Sequence, residues 1–406
     1  MSQTEMQYAK KTASNKASLS NLISHSSKLN VRQYTMIIAL ISIWMIFTFL
    51  TDGLFITSRN LSNLFVQMVT IGFLACGMVL VIVATHIDLS VGSVAGTLGA
   101  LAAFLMVKAR LNPAAAIGIT LLAGIAVGSW HGFWISYRGV PAFIVTLASM
   151  TAFKGLTLAI TNGVTIGEFP KSFKAIGQGY VPKLFLPDAK FNDTSLIIGI
   201  LFVIAFIIFD LKKRDSRKKY GFKVLSMPVQ ILKMVVISTV ISLVCSIMTS
   251  YMGIPYAVLL LTGIVILFTF ITQKTKFGRH VYAIGGNREA ARLSGINIKL
   301  VNFLIFVLMG VLTAIAAIVS TSRLNAATTA AGNLFELDAV AACYIGGTSS
   351  RGGVGTIYGA IIGALVMASL DNGMSLMNLP IMYQYMIKGL ILLLAVWVDF
   401  ATKKKS

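Results

Sequence analysis

The sequence predicts an all-α polytopic membrane protein with about 10–12 transmembrane helices. Of its 406 residues, 56% are hydrophobic and only 12% are charged, and the mean hydropathy is +0.83. A soluble domain needs a more polar surface than this composition provides. The chain also has 34 Lys+Arg against 13 Asp+Glu. Because the basic residues cluster between alternate apolar segments, we interpret the excess as membrane topology and not as nucleic-acid binding.

The first 33 residues are polar and contain five basic residues before the first apolar stretch. This pattern predicts a cytoplasmic tail and a retained first span, because a cleaved signal has a short charged region and a small-residue cleavage site. Segments of spanning or near-spanning length follow at roughly 34–51, 63–84, 91–107, 114–137, 142–161, 194–210, 228–249, 254–272, 300–321, 356–370 and 381–400. We therefore expect one transmembrane domain over 34–400 and a short cytoplasmic tail over 401–406.

Two strongly basic segments, 210–227 and 273–299, fix the predicted orientation. If the amino terminus is inside and the chain changes side at each span, both segments lie in the cytoplasm, as the charge rule requires. The basic carboxyl terminus belongs there too. The region 338–370 must then leave from and return to the outer side, either as two short crossings or as a re-entrant pair.

Two breaks interrupt the apolar pattern, one near 85–93 and one near 338–356. The second contains the glycine-rich run 346–355, and irregular backbone persists at membrane depth only where protein or water satisfies its polar groups. A pattern Val-Gly-Ser/Thr-Val/Ile-x-Gly occurs at 91–96 and again at 354–359. Glycine-interrupted segments in corresponding halves of a transporter indicate the substrate path. The alternative is that small residues recur because membrane helices pack closely through them.

The candidate path residues lie in or near these breaks. They are His86, Asp88, Ser90, Gly92, Asn325, Gly346, Gly347 and Thr348. Asp88 is the one carboxylate expected between two spans, where it either caps the next helix together with Ser90 or contacts a polar solute. The remaining acids near membrane helices are expected to be solvated loop charges. These are Glu168, Asp188, Asp193, Glu336, Asp338 and Asp371.

Catalytic and metal sites are not expected in this chain. Its four histidines lack the i, i+3 or i+4 spacing of a metal site, and its three cysteines, Cys76, Cys245 and Cys343, are far apart in apolar runs. The sequence contains no Gly-Lys dipeptide and so no P-loop. If ATP drives the protein, another subunit binds it.

The basic segment 273–299 contains a predicted two-turn helix with a signal at each end. Asn287 is a favourable N-cap, Glu289 lies in the first turn and Gly295 suits the position after the helix. The segment is Asn287, Arg288, Glu289, Ala290, Ala291, Arg292, Leu293, Ser294 and Gly295. Such a helix either docks into a groove on a partner protein or lies on its own membrane domain.

Three separate motifs resemble, in the same order along the chain, motifs of the membrane subunits of bacterial ABC importers for monosaccharides. These importers form the ribose, xylose and galactose group. The motifs are Glu289-Ala-Ala-Arg-Leu-Ser-Gly295, His86-Ile-Asp-Leu-Ser-Val-Gly-Ser93 and Tyr344-Ile-Gly-Gly-Thr-Ser-x-x-Gly-Gly-x-Gly355. The resemblance covers roughly 65–160 and 275–400. It is strongest to the xylose branch, through 140–147, 370–374 and the additional apolar pair around 194–249.

The resemblance implies a non-catalytic permease subunit in the bacterial inner membrane, paired as a homodimer and surrounded by membrane lipid. An ATPase subunit carrying ATP and Mg would bind segment 287–295 from the cytoplasm, and a soluble sugar-binding protein would dock outside. The expected substrate is D-xylose, and no cofactor is expected in this chain. The alternatives are a channel or an ion-coupled sugar carrier. A carrier needs buried carboxylates, and Asp88 is the one candidate.

Overall fold

Helices make up nearly all of the regular structure in the computed structural model, which describes residues 31–222 and 224–403. Over these residues the helices are α1 (Val31–Leu50), α2 (Ser58–Val83), α3 (Val91–Val107), α4 (Pro113–Ser136), α5 (Ala142–Thr161), α6 (Lys171–Gln178), α7 (Asp193–Lys219), α8 (Met227–Thr249), α9 (Tyr256–Lys274), α10 (Lys276–Gly286), α11 (Arg288–Leu293), α12 (Ile298–Leu324), α13 (Phe335–Ile345), α14 (Ile357–Leu376) and α15 (Ile381–Lys403). A 3₁₀ turn covers Leu54–Ile56, and two short strands, β1 (Ile166–Gly167) and β2 (Ala326–Ala327), form one antiparallel pair.

Each of the eleven predicted apolar segments corresponds to one long helix. Among the described residues, eight helices are long and apolar enough to cross a membrane, and shorter apolar stretches lie in α1, α3 and α15. The predicted all-α polytopic fold is therefore confirmed. Residues 1–30 of the predicted amino-terminal tail, and 404–406 of the predicted carboxyl-terminal tail, lie outside the described residues.

The basic segments are more helical than the sequence suggested. Helix α7 continues to Lys219, so most of the basic residues of the segment 210–227 lie in the last turns of α7. Lys and Arg are good helix formers and are favoured at a helix carboxyl terminus. The segment 273–299 contains α10 as well as α11. We call the end of the molecule that carries these turns, α10 and α11 the basic end.

Helix α2 forms the centre of the molecule. Its side chains are buried almost continuously from Leu64 to Val83, and it contacts α9, α12, α13 and α14. A helix that is apolar on all sides must be surrounded by other helices or by lipid. Here protein surrounds it, and α2 positions both the start of α3 and the broken region between α13 and α14.

Helices α4 and α12 pack closely against each other through a row of glycines spaced four residues apart. A Cβ atom added to Gly124 would lie 2.6 Å from the carbonyl oxygen of Gly310, and one added to Gly128 would overlap the carbonyl of Phe306. Small residues at this spacing let two helix backbones approach in a membrane, where packing replaces the hydrophobic driving force. Neighbouring helix α3 lies against both α12 and α5, and the hydroxyls of Thr97 and Thr157 are 2.9 Å apart.

Helices α7 and α8 form a hairpin that packs mainly on itself. Asp210 of α7 accepts hydrogen bonds from Gln230 and Lys233 of α8. At the end opposite the basic end, the β1–β2 pair joins the segment after α5 to the segment after α12.

Substituting Gly124→Ala is expected to lower the melting temperature of the purified protein in detergent. The added methyl group would meet the Gly310 carbonyl and the Ala314 side chain, and overpacking of this kind costs about 1–3 kcal/mol. Gly118→Ala, in the same helix, is the matched control, because no atom lies within 4 Å of its added Cβ. Alanine also favours a helix over glycine, so this control should melt at the same temperature or higher. Equal melting of the two variants would contradict the packing described here.

Candidate functional site

The first break lies between α2 and α3. Asp88 is 2% exposed, and its Oδ1 accepts hydrogen bonds from the Ser90 backbone N–H at 2.9 Å and from the Ser90 hydroxyl at 2.6 Å. Ser90 occupies the N-cap position of α3 but makes no side-chain capping bond. Asp88 therefore organises the start of α3 through its hydrogen bonds to Ser90. A direct contact of Asp88 with a polar solute stays a prediction.

The second break, residues 346–356, has irregular backbone, and several of its N–H groups donate to acceptors within the protein. Thr348 N–H donates to the carbonyl of Cys343 at 2.9 Å, and Ser349 N–H donates to that of Val354 at 2.8 Å. Gly347, Gly352 and Gly353 have φ of +88°, +81° and +71°, a region that glycine adopts without steric cost. The segment therefore needs glycine for its conformation, as its composition predicted.

The two breaks and the end of α10 meet at one point. The Val83 carbonyl accepts a hydrogen bond from Gly353 N–H at 2.9 Å. A Cβ atom on Gly285 would overlap the Val83 oxygen and lie 2.6 Å from the Gly353 nitrogen, and one on Gly352 would lie 2.8 Å from the Val83 oxygen. We call Val83, Gly285, Gly352 and Gly353 the glycine junction. The backbones touch there, and no side chain fits between them.

The predicted helix 287–295 is present as α11 with the expected ends. Asn287 Oδ1 accepts from Ala290 N–H at 3.0 Å, and Gly295 has a φ of +78°. Its two faces differ in exposure: the Ala291 residue is 4% exposed, whereas Leu293 is 79% exposed. The helix therefore rests on its own membrane domain through Ala291 and presents Leu293 to the surroundings.

Helix α10 connects α11 to the second break, a link that the sequence did not reveal. The Tyr282 hydroxyl donates to the carbonyl of Gly355 at 2.7 Å. Burial, with a smaller contribution from Tyr358, raises the pKa of Tyr282 to about 12, so the hydroxyl keeps its proton near neutral pH. Arg288, at the start of α11, is within electrostatic range of His86 in the first break. The start of α11 therefore lies near the first break, and the preceding helix α10 is bonded to the second.

The other candidate path residues lie in different places. His86 packs against Phe306, with ring centroids 5.9 Å apart. Thr348 is fully buried, and its hydroxyl has no hydrogen-bond partner among the described residues. Asn325 lies at the end opposite the basic end, where its side chain accepts from Phe169 N–H at 3.2 Å. Roles for these residues in transport stay predictions.

The expectation that the remaining acids are solvated is wrong for four of them. Glu336 and Asp338 lie buried in the first turn of α13, and Asp371 lies within α14 and pairs with Lys388 at 2.9 Å. Asp193 is buried at the start of α7 and accepts backbone N–H groups from 184–186 and from Thr194. The sequence gives no sign that Asp338 and Asp371 are paired, because their partner Lys388 lies in another helix and not at a helical spacing from either.

The burial of Glu336 follows from how the preceding segment folds. Gly332, with a φ of +79°, packs against the backbone of Gly92 so closely that a Cβ at either position would overlap the other segment. The Glu336 carboxylate also lies over Gly92. The chain between α12 and α13 therefore folds inward against α3, and it carries the acids inward with it.

These features together define a multi-pass membrane permease. Residues 60–396 match the family described as branched-chain amino acid transport system / permease component, and the chain belongs to this family. The chain is 44% identical over 378 residues to the xylose transport system permease protein XylH of Escherichia coli (strain K12), covering 93% of this chain and 94% of that protein.

Two further relatives give the breadth of the similarity. The chain is 43% identical over 377 residues to XylH of Haemophilus influenzae, covering 93% of this chain and 98% of that protein. It is 31% identical over 345 residues to the ribose import permease protein RbsC of Escherichia coli (strain K12), covering 85% of this chain and 87% of that protein. No solved structure is significantly similar to the chain.

The glycine junction gives a test between adjacent residues. Gly285→Ala is expected to reduce strongly the yield of monodisperse protein and its melting temperature, because the added methyl group would occupy the place of the Val83 carbonyl. Gly286→Ala should leave both unchanged, since no atom lies within 4 Å of its added Cβ. The measurement compares the size-exclusion profiles and the thermal melting curves of the two variants. If Gly285→Ala behaves like Gly286→Ala, the junction is not closed as described.

Proposed function

We propose that this chain is the transmembrane subunit of an ATP-driven importer that carries D-xylose across the bacterial cytoplasmic membrane. The observation that carries the proposal is the 44% identity to a xylose permease over 93% of the chain. The aligned length includes almost all of the described helices. Similarity to a ribose permease at 31% supports a monosaccharide as the substrate class. The higher identity to the xylose proteins favours D-xylose within that class.

The proposed orientation places the basic end in the cytoplasm. The basic last turns of α7 and the helices α10 and α11 lie there, and Lys and Arg are retained on the cytoplasmic side of membrane proteins. By this reasoning both termini are cytoplasmic. The exposed apolar side chains of α7 and α8 would face lipid.

The proposed partners bind at opposite ends. An ATPase subunit, with ATP and Mg, would bind α11 in the cytoplasm, where the 79% exposed Leu293 is an apolar contact in a basic setting. A sugar-binding protein would dock outside. A second copy of the permease would complete the path. Closure of the ATPase would move α11, and the glycine junction would pass this movement to both breaks.

The second candidate function is an ion-coupled sugar carrier, and the buried acids give it more support than the sequence did. Asp88, Glu336 and Asp338 are buried, and buried carboxylates are the groups such carriers use. The family and the exposed α11 favour the importer, because a carrier has no use for a cytoplasmic helix that presents a leucine to a partner. A channel has no such use either.

Transport into proteoliposomes separates these functions. With the permease, its ATPase and its sugar-binding protein reconstituted together, uptake of radiolabelled D-xylose should require ATP and the binding protein, and it should be insensitive to a protonophore. Uptake that proceeds without ATP and is abolished by the protonophore would identify a carrier.

Leu293→Asp is expected to reduce recovery of the ATPase with the purified permease by at least about tenfold, since a charge in an apolar groove at the centre of an interface is strongly unfavourable. Leu293→Met should retain the partner. Val164→Asp, an exposed apolar residue between α5 and β1 at the opposite end, is the control for adding a charge. Co-purification from detergent measures all three. Full recovery of the ATPase with Leu293→Asp would remove α11 from the interface.

A further inference from the structure

A cavity of about 270 Å³ lies where α2, α13, α14 and α15 approach one another near the end of α12. Its polar lining comes mainly from Gln67 and Thr70 of α2, Arg323 of α12, Asp338 of α13, Asp371 of α14 and Lys388 of α15. Lys388 is seven residues into α15, which at 1.5 Å per residue is about 10 Å from its start. The cavity therefore lies at membrane depth, on the side away from the basic end.

The charged groups of the cavity balance one another. Lys388 Nζ lies 2.9 Å from Asp338 Oδ2 and 2.9 Å from Asp371 Oδ2, and Arg323 also faces the cavity. Two carboxylates therefore accompany two cations. Buried charges are costly even when paired, and ionisable side chains in membrane segments usually serve function. A cavity with balanced charges suits a neutral polar ligand better than an ion.

Several polar atoms of the cavity lining have no hydrogen-bond partner among the described residues. They are Thr70 Oγ1, Arg323 Nε, Asp338 Oδ1 and Asp371 Oδ1, all buried. Thr70 and Asp338 are each only 3% exposed. Buried polar groups are nearly always paired, so a concentration of unpaired donors and acceptors around one cavity indicates a ligand with many hydroxyl groups. Each hydroxyl donates one hydrogen bond and accepts two.

The size of the cavity agrees with a small ligand. Pockets for drug-sized molecules measure about 300–1,000 Å³, and 270 Å³ is just below that range. The cavity is also connected to the glycine junction, because α13 runs from Asp338 at the cavity to Ile345, which immediately precedes the second break. A shift of that break would move Asp338 along with α13.

We propose that this cavity holds the monosaccharide during its passage through the permease. The unpaired oxygens of Asp338 and Asp371 accept hydrogen bonds from sugar hydroxyls, and the Arg323 Nε–H donates to a sugar oxygen. The Thr70 hydroxyl donates or accepts a hydrogen bond. Lys388 holds the two carboxylates in place. This assignment rests on the proposed function and adds to it a defined site within the membrane.

The test measures D-xylose uptake and ATP hydrolysis in the same proteoliposomes, containing the permease, its ATPase and its sugar-binding protein. Thr70→Val removes the hydroxyl and keeps the shape of the side chain. Uptake per ATP hydrolysed should fall about three- to tenfold, the effect of losing one hydrogen bond, while ATP hydrolysis stimulated by the loaded binding protein is retained. Asp371→Asn, which leaves Lys388 paired with Asp338, should show the same pattern.

The matched control is Thr249→Val, since Thr249 in α8 is also buried and its hydroxyl is also unpaired among the described residues, but it does not line the cavity. This control should keep the uptake per ATP hydrolysed of the unaltered protein. If Thr70→Val and Asp371→Asn also retain it, the cavity holds only water and the assignment is wrong. If uptake and ATP hydrolysis fall together, the cavity is structural, which also overturns the assignment. If the unaltered complex shows no ATP-dependent uptake, the proposed function itself fails.

Discussion

The rest of the structure depends on one constraint, that interrupted backbone inside a membrane must find its hydrogen-bond partners in the protein or in a water-filled cavity. The end of α2 and the segment 346–356 satisfy this by meeting each other, with the Val83 carbonyl bound to the Gly353 N–H. The contact excludes side chains, so glycine is required at Gly285 and Gly352. Because Gly285 belongs to α10, the same contact attaches α10 and α11, at the basic end, to both breaks. A local requirement of the backbone thus creates a mechanical link.

Helix α13 extends this link into the membrane domain. It begins with the buried acids Glu336 and Asp338 and ends immediately before the second break. Asp338 pairs with Lys388, while Glu336 lies over Gly92 at the start of α3. Each end of this short helix therefore touches one of the regions that the sequence marked as irregular. Burying such charges is unfavourable unless they are paired, and the structure concentrates two of them in the first turn of α13.

Sequence reasoning found the features that depend on local pattern. Long apolar runs predicted the eight helices long enough to span a membrane and the three shorter apolar ones, and the end signals Asn287 and Gly295 predicted α11. It missed features that depend on residues distant in sequence. The pairing of Asp338 with Lys388 joins residues 50 positions apart, and the inward fold of the chain before α13 has no periodic signal. Helix α10 was also missed, because its eleven residues mix basic and apolar side chains within a segment expected to be a loop. The meeting of the α2 end with two glycine-containing segments is visible only in three dimensions.

The central claim is that α11 and the two breaks move as one connected unit through the glycine junction. Hydrogen–deuterium exchange on the assembled complex, with and without a non-hydrolysable ATP analogue, tests it most directly. The account predicts that nucleotide changes the exchange of 287–295 and, together with it, the exchange of 84–90 and 346–356. A change confined to 287–295, with both breaks unaffected, would contradict the account.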